Sequence, residues 1–299
     1  MRVSTLQVAE NSLFNITNAY SRLADAQSEV GTGLQLQQPS DNPVGTAQVL
    51  GYQAQSAMIT QYNSNMDQAN GFLSTSSSAL SNLTNLVQQA RTYALQGASQ
   101  NNSQQTLEGL ATQVQDIINQ VGNIGNSTYG SRYVFAGQRT TTPPLVANGN
   151  GFNYAGGSVA TNDAAVNVAV GNGQSMQINV SGDQVFTPLL SALGQLRDDL
   201  ASGASSTLSR TDVANLDTQL NNIEAVNADM GSKIQQITQN QQRNQLTLTN
   251  LTQFVSNIQD ADMPKAIVGL QTAQTAYQAA AEATAYSFQT SLLNFLSLA

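Results

Sequence analysis

From Leu6 the chain spaces apolar side chains three and four residues apart, at Leu6, Ala9, Leu13, Ile16, Tyr20, Leu23, Val30 and Leu34, with Gln27 as the single polar step. So narrow a heptad-like stripe predicts a helix that docks along another helix. Val30-Gly31-Thr32-Gly33 weakens its end, and Pro39 and Pro43 close it. Asn42 before Pro43 is a helix start: a capping side chain, then a proline whose missing N–H is not needed there. Residues 44–99 read as mostly helical, with Leu50, Ala54, Met58, Phe72, Leu80, Leu83, Leu86 and Val87 as the apolar positions. Gly97 and the polar run 99–105 interrupt that segment. A further helix carries Leu107, Leu110, Val114, Ile117, Val121 and Ile124, and stops at Gly125-Asn126.

The period then changes. Arg132-Tyr133-Val134-Phe135 reads as a strand, and Pro143-Pro144 bars its continuation. Between Gly149 and Phe186 the alternation falls to two: Ala164, Val166, Val168 and Val170, a turn at Gly171-Asn172-Gly173, then Met176, Ile178 and Val180. This is a hairpin signal. A short helix comes next, with Leu189, Leu190, Leu193, Leu196 and Leu200 on one side.

Beyond the Ser-rich stretch 202–206 the helical period returns and lasts. Val213, Leu216, Leu220, Ile223, Met230, Ile234, Ile237, Leu248, Leu251, Val255 and Ile258 share a row with the polar residues Asn227, Gln241 and Asn244. Polar side chains in such a row fix register at some cost in stability. A helix over 208–259 is about 78 Å long, a rod that calls for an elongated bundle. Asp260-Ala261-Asp262-Met263-Pro264 breaks the rod, with Asp262 as a cap and Pro264 in the next first turn. The last helix presents Ile267, Leu270, Tyr277, Ala281, Ala285, Phe288, Leu292 and Phe295, while Ala273, Ala276, Ala279, Ala280 and Ala283 line its other faces. The terminal arms 1–38 and 263–299 are nearly equal in length and can lie side by side. A two-helix pair cannot cover a helix that is small or apolar on several faces, so partners from other copies are expected.

Composition narrows the chemistry. Charged residues are 9 % of the 299, against roughly 25 % in an ordinary soluble domain. The net charge of −8 argues against a nucleic-acid groove. There is no Cys and no His, which removes thiolate nucleophiles, His-based triads, zinc sites and the commonest general base. Gly149-Asn150-Gly151 and Gly171-Asn172-Gly173 lack a following Lys-Ser/Thr and read as turns rather than phosphate cradles. Asp198-Asp199 reads as a solvated face. Asp260 and Asp262 begin like a calcium loop, which Pro264 and a missing distal Glu spoil. Lys233 and Lys265, the two lysines a Ser–Lys dyad could draw on, sit in helical segments. No enzyme activity, catalytic residue, metal or cofactor is expected. The most apolar stretch, 266–288, is interrupted by Gln271, Gln274, Gln278 and Glu282, so no membrane insertion is expected either.

Three local motifs carry a resemblance. They are the opening Met1-Arg2-Val3-Ser4-Thr5; Gly31-Thr32-Gly33 with Pro39-Ser40-Asp41-Asn42-Pro43; and Gly130-Ser131-Arg132-Tyr133-Val134-Phe135-Ala136-Gly137 with Thr140. In these the chain resembles the bacterial flagellin superfamily, and within it the branch at the hook–filament junction. Departures are Asn42 where a second Asp is common and Gly31 where Ser is usual. The likeness covers roughly 1–138 and 205–299; the middle is variable in the family.

The expected fold is mainly α with a small inserted β domain: an elongated antiparallel helical bundle whose N- and C-terminal arms pair as a coiled coil. The segments are an N-terminal arm (1–40), a first bundle part (41–138), a β-rich outer domain with a short helix (139–204), a second bundle part (205–260) and a C-terminal arm (261–299). The resemblance implies an adaptor ring joining hook to filament. It also implies export through the flagellar type III apparatus to the extracellular flagellum without a cleaved signal. Implied partners are sibling subunits, hook-associated protein 1, flagellin and an export chaperone. Leu6, Leu13, Ile16, Tyr20 and Leu23 are expected to pair with Tyr277, Phe288, Leu292 and Phe295 in the inner coiled coil. Pro39, Ser40, Asp41, Asn42, Pro43, Asp262 and Pro264 form the inter-domain turns. Arg132, Tyr133, Phe135 and Gly137 mark the bundle–outer domain junction. Three other classes compete: a filament flagellin, which polymerises extensively; a secreted coiled-coil type III effector, disfavoured by the missing apolar span; and an adhesin or glycan-binding module in 139–204, for which Phe152 and Tyr154 alone make no aromatic groove.

Overall fold

The computed structural model describes residues 2–99, 101–157, 165–204 and 207–296, and within them the side chains other than those of residues 2–6, 8, 9, 209, 287 and 289–296. In order come α1 (Arg2–Thr32), α2 (Pro43–Gly97), α3 (Gln104–Gly125), β1 (Thr128–Tyr129), β2 (Arg132–Tyr133), β3 (Leu145–Asn148), β4 (Gly151–Tyr154), β5 (Asn167–Gly171), β6 (Gln174–Gln177) and α4 (Gly182–Ser202). A π-helical turn (Leu208–Asp212), α5 (Val213–Gln259) and α6 (Met263–Leu296) follow. The expected class, helical with a small β insertion, is the fold observed.

Two compact units share α2 and α5. One comprises residues 1–57 with 246–299, the other residues 58–245. In the second unit, one continuous apolar core joins α2, α3, α4 and α5 with the insert; Leu80, Leu83, Val114, Leu193, Leu196, Ile223 and Ile237 all lie within it. Among the described residues the strands form three separate antiparallel hairpins, β1–β2 leading into the insert and β3–β4 and β5–β6 within it. The hairpin read from alternation is β5–β6, turning at Asn172-Gly173, with Val168 opposite Met176; Ala164 lies outside the described residues. The other two hairpins go beyond the sequence expectation. β1–β2 is two residues long, and β3–β4 closes Leu145 against Tyr154 around Gly149, whose φ is +60°. The strand expected over Arg132–Phe135 is shorter: only Arg132 and Tyr133 pair, because Val134 and Phe135 turn into the core.

The stripe on α2 also needs correction. Leu50 and Met58 are exposed, and the inward row runs Val49, Tyr52, Ile59, Met66, Ala69 and Leu73. Strict three–four stepping from Val49 keeps the row on one face, whereas stepping by four from Leu50 drifts off it. Facing this row, α5 runs antiparallel and its polar steps find partners. Asn244 Nδ2 donates to Asn63 Oδ1 at 2.8 Å, Gln241 Nε2 to Asp67 Oδ1 at 2.7 Å, and Ser77 Oγ to Asn227 Oδ1 at 2.6 Å. Arg91 pairs with Asp217 at 2.6 Å further along.

Candidate functional site

The first unit holds the paired arms. Helices α1 and α6 lie antiparallel, with Tyr20 and Tyr277 rings 5.9 Å apart between centroids. The covered row on α1 is Ser12, Ile16, Ala19, Leu23, Ala26 and Val30; on α6 it is Ala266, Leu270, Ala273, Tyr277, Ala280 and Thr284. Both rows step by four and three, the repeat of a coiled-coil seam. Both alternate a small residue with a larger one, so the backbones can approach closely at Ala19, Ala26, Ala273 and Ala280.

Of the expected coiled-coil residues, Ile16, Leu23 and Tyr277 stand in this seam. Leu13 (54 % exposed), Tyr20 (61 %) and Phe288 (40 %) do not; Leu13 and Tyr20 are mostly open to solvent, and Phe288 is partly so. The seam takes the small residues Ser12 and Ala19 where the apolar stripe points to Leu13 and Tyr20. The side chains of Leu6, Leu292 and Phe295 lie outside the described ones. Phe14, Ile267, Val268 and Tyr286 add to the exposed apolar surface. A groove beside the seam is walled by Asn18, Arg22, Ala26, Lys265, Gly269 and Ala273.

The turn residues bind the arms at one end. Gly33, with φ +72°, ends α1, and Leu34 bridges Asp260. Gln35 N donates to Gln259 O at 2.9 Å, and Ala261 N to Gly33 O at 2.8 Å. Asp41 Oδ2 accepts the backbone N–H groups of Gln37 (3.1 Å) and Gln38 (2.8 Å), which fixes the exposed Pro39-Ser40 reversal. Asn42 Oδ1 accepts Gly45 N–H at 2.9 Å, capping α2 with Pro43 in its first turn. Asp262 Oδ1 faces Lys265 N–H at 3.4 Å, with Pro264 in the first turn of α6. Leu36, 8 % exposed, plugs the clasp, a role that no periodicity around it signals.

In the second unit, Phe135 is fully buried edge-on against Phe186, centroids 4.9 Å apart. Tyr133 is half-buried, Arg132 exposed, and Gly137 buried with φ +63°. Tyr154, not among the expected junction residues, is a second aromatic there. Its hydroxyl lies 2.7 Å from Phe135 O and 2.9 Å from Gly157 O, and burial pushes the phenol above its ordinary range. Among the described residues no group of three or more acidic, His or Cys side chains could hold a metal, and no helix is long and apolar enough to cross a membrane. Asp198 is exposed and paired with Arg197 at 2.7 Å, as a solvated face should be. Asp199 departs from that expectation: it is half-buried and accepts from Gln195 at 3.1 Å.

Paired terminal helices, together with a helical unit that carries a β insertion, define a flagellin-type subunit. The family model for the bacterial flagellin N-terminal helical region matches residues 3–140, and that for the C-terminal helical region matches residues 213–296. The chain belongs to the bacterial flagellin family and is a structural flagellar component. It is 25 % identical over 311 aligned residues to flagellar hook-associated protein 3 of Escherichia coli, covering 95 % of this chain and 96 % of that one. Against the flagellin of Salmonella rubislaw it is 25 % identical over 135 residues, which is 45 % of this chain and 27 % of that one. Among solved structures, flagellar hook-associated protein-3 from Legionella pneumophila superposes with a TM-score of 0.63 at 15 % identity, over 69 % of this chain and 98 % of that one. The end-to-end likeness is thus to the hook-associated proteins, and the likeness to flagellins is partial.

Proposed function

We propose that the chain is a structural subunit of the flagellum at the hook–filament junction, joined to copies of itself through its paired terminal helices. The observation that supports this most is the arm surface. The α1–α6 seam is covered within the molecule, while Leu13, Tyr20, Ile267 and Phe288 beside it keep roughly half of their surface open to water. At roughly 25 cal/mol per Å² of apolar surface buried, covering them with a neighbouring helix supplies a drive for assembly that the monomer leaves unused. The surrounding molecules are sibling subunits in a ring, hook-associated protein 1 on the hook side and flagellin on the filament side. A chaperone and the type III apparatus deliver the chain to the cell exterior without signal cleavage. The role is mechanical, with no catalytic step. The segments 1–40 and 261–299 form the inner shell, and the clasped turns at Pro39–Pro43 and Asp262–Pro264 set how arm and bundle shells adjust between hook and filament.

Electron microscopy of cells lacking the gene tests the reading. Intact hooks without filaments are expected; unaltered filaments would overturn it. Adding purified protein to filament seeds separates the junction role from that of a flagellin: a short cap is expected, and extensive polymer would favour the flagellin.

A further inference from the structure

Asp212 ends the π-helical turn and stands in an apolar row, with Leu208 one turn before it and Leu216 one turn after it, both fully buried. It is itself 1 % exposed, and neither carboxylate oxygen has a hydrogen-bond donor. A lone buried carboxylate without donors is costly, and a protein meets that cost by supplying a cation, a donor or a proton. Among the described residues no cation acts on it. Arg210, on the same turn, is exposed; Arg197 is engaged by Asp198 and Gln115, and Arg91 by Asp217. The end of α4 is tied to this turn, Ala204 N–H donating to Asp199 O at 3.0 Å and Leu208 N–H to Ala204 O at 3.1 Å, and the charged group that acts on Asp212 from there is another carboxylate, Asp199. Asp199 is held in place by Gln195 Nε2 on its Oδ2. Two carboxylates brought together at a buried position bind one proton between them.

We propose that Asp199 and Asp212 share one proton, making a carboxyl–carboxylate latch that fastens the end of α4 to the start of α5 and weakens as the surroundings turn neutral. In the closed form the Asp212 O–H donates to the Asp199 carboxylate. Opening releases that proton to water and leaves two anions facing each other. Burial first, and Asp199 second, raise the Asp212 carboxyl from 3.8 to about 6. The folded state therefore holds this proton more tightly than the unfolded chain. The latch's contribution is full below about pH 4, declines as pH rises towards 6, and is gone above it.

The test is a carboxyl NMR titration of the full chain labelled with ¹³C-Asp, alongside urea unfolding of the parent and Asp212→Asn at about pH 4.5 and 7.5. Asp212 should titrate near 6, and Asp199→Asn should lower that midpoint. The Asn variant should be more stable than the parent at the higher pH, with the advantage shrinking or reversing at the lower. Amide exchange at 199–204 and 207–213 should quicken in the parent alone as pH rises. An Asp212 midpoint in the ordinary carboxylate range would overturn the proposal. So would a stability gap indifferent to pH. Stabilisation of the parent, but not of Asp212→Asn, by millimolar Ca²⁺ alone at the higher pH would also overturn it, by making the pair a cation site.

Discussion

Single residues decide how the insert is held. A Cβ on Gly182 would lie 2.5 Å from the Tyr154 ring and 2.8 Å from Phe135 O, so the ring rests directly on that backbone. Gly122 does the same for Phe152, whose ring atoms would meet a Cβ at 2.3 Å. Gly182→Ala should cost about 1–3 kcal/mol, because neither the buried ring nor the Phe135 backbone can move aside cheaply. Urea unfolding measures it. Tyr154→Phe should cost less, about 1 kcal/mol, since Phe135 O keeps the Gly182 N–H at 3.1 Å and Gly157 O keeps the Ser181 hydroxyl at 2.8 Å. The raised phenol keeps Tyr154 a donor at any pH near neutrality. None of this is legible in the sequence. A Tyr in the insert and a Gly nearly thirty residues on share no periodicity, and only the folded chain brings them into contact.

At the scale of elements, the long helices are legible because their signal repeats many times. The row on α5 reads from Val213 to Ile258, and its polar steps Asn227, Gln241 and Asn244 do meet side chains of α2. Asp212 escapes a row that begins at Val213; starting at Leu208 puts an aspartate between two leucines. The short hairpins β1–β2 and β3–β4 escape for the opposite reason, being too brief for alternation to rise above chance. The two helical caps are visible in the sequence, but not the clasp, which depends on residues more than two hundred positions apart. If the polar rungs fix register, Asn63 and Asn244 are coupled. Asn63→Leu and Asn244→Leu should each cost about 1 kcal/mol, and the double variant less than their sum, since the loss of both partners leaves no orphan. A double-mutant cycle in urea measures the coupling; strict additivity would assign the rung no role. Ile223, fully buried in the same row, should cost about 2–5 kcal/mol on truncation to Ala, which shows how apolar steps carry stability while polar steps carry register.

For the whole molecule, the core that stabilises the chain and the surface proposed for assembly lie in different units. Among the described residues the apolar core falls almost entirely in the 58–245 unit; in the other, Leu36, Val49, Leu251 and Ala266 are the buried hydrophobic side chains. That other unit is the one with Leu13, Phe14, Tyr20, Ile267, Val268, Tyr286 and Phe288 in water. Large apolar groups on a helix flank add little to a monomer that leaves them solvated, so lysine at Leu13 and Phe14 together should change its unfolding by no more than about 0.5 kcal/mol per site; Tyr20 is set apart from them by its ring contact with Tyr277. In an assembly the same two lysines would be buried charges without partners, a far larger penalty. The double variant Leu13→Lys/Phe14→Lys should therefore keep the parent's circular dichroism and urea midpoint while failing to enter the flagellum. Ala19→Leu, in the seam, should do the reverse at its first step, prising α1 from α6 in the isolated chain. Normal incorporation of the lysine variant would mean that neighbours are held by other surfaces. A lowered monomer midpoint would mean that Leu13 and Phe14 serve the seam after all.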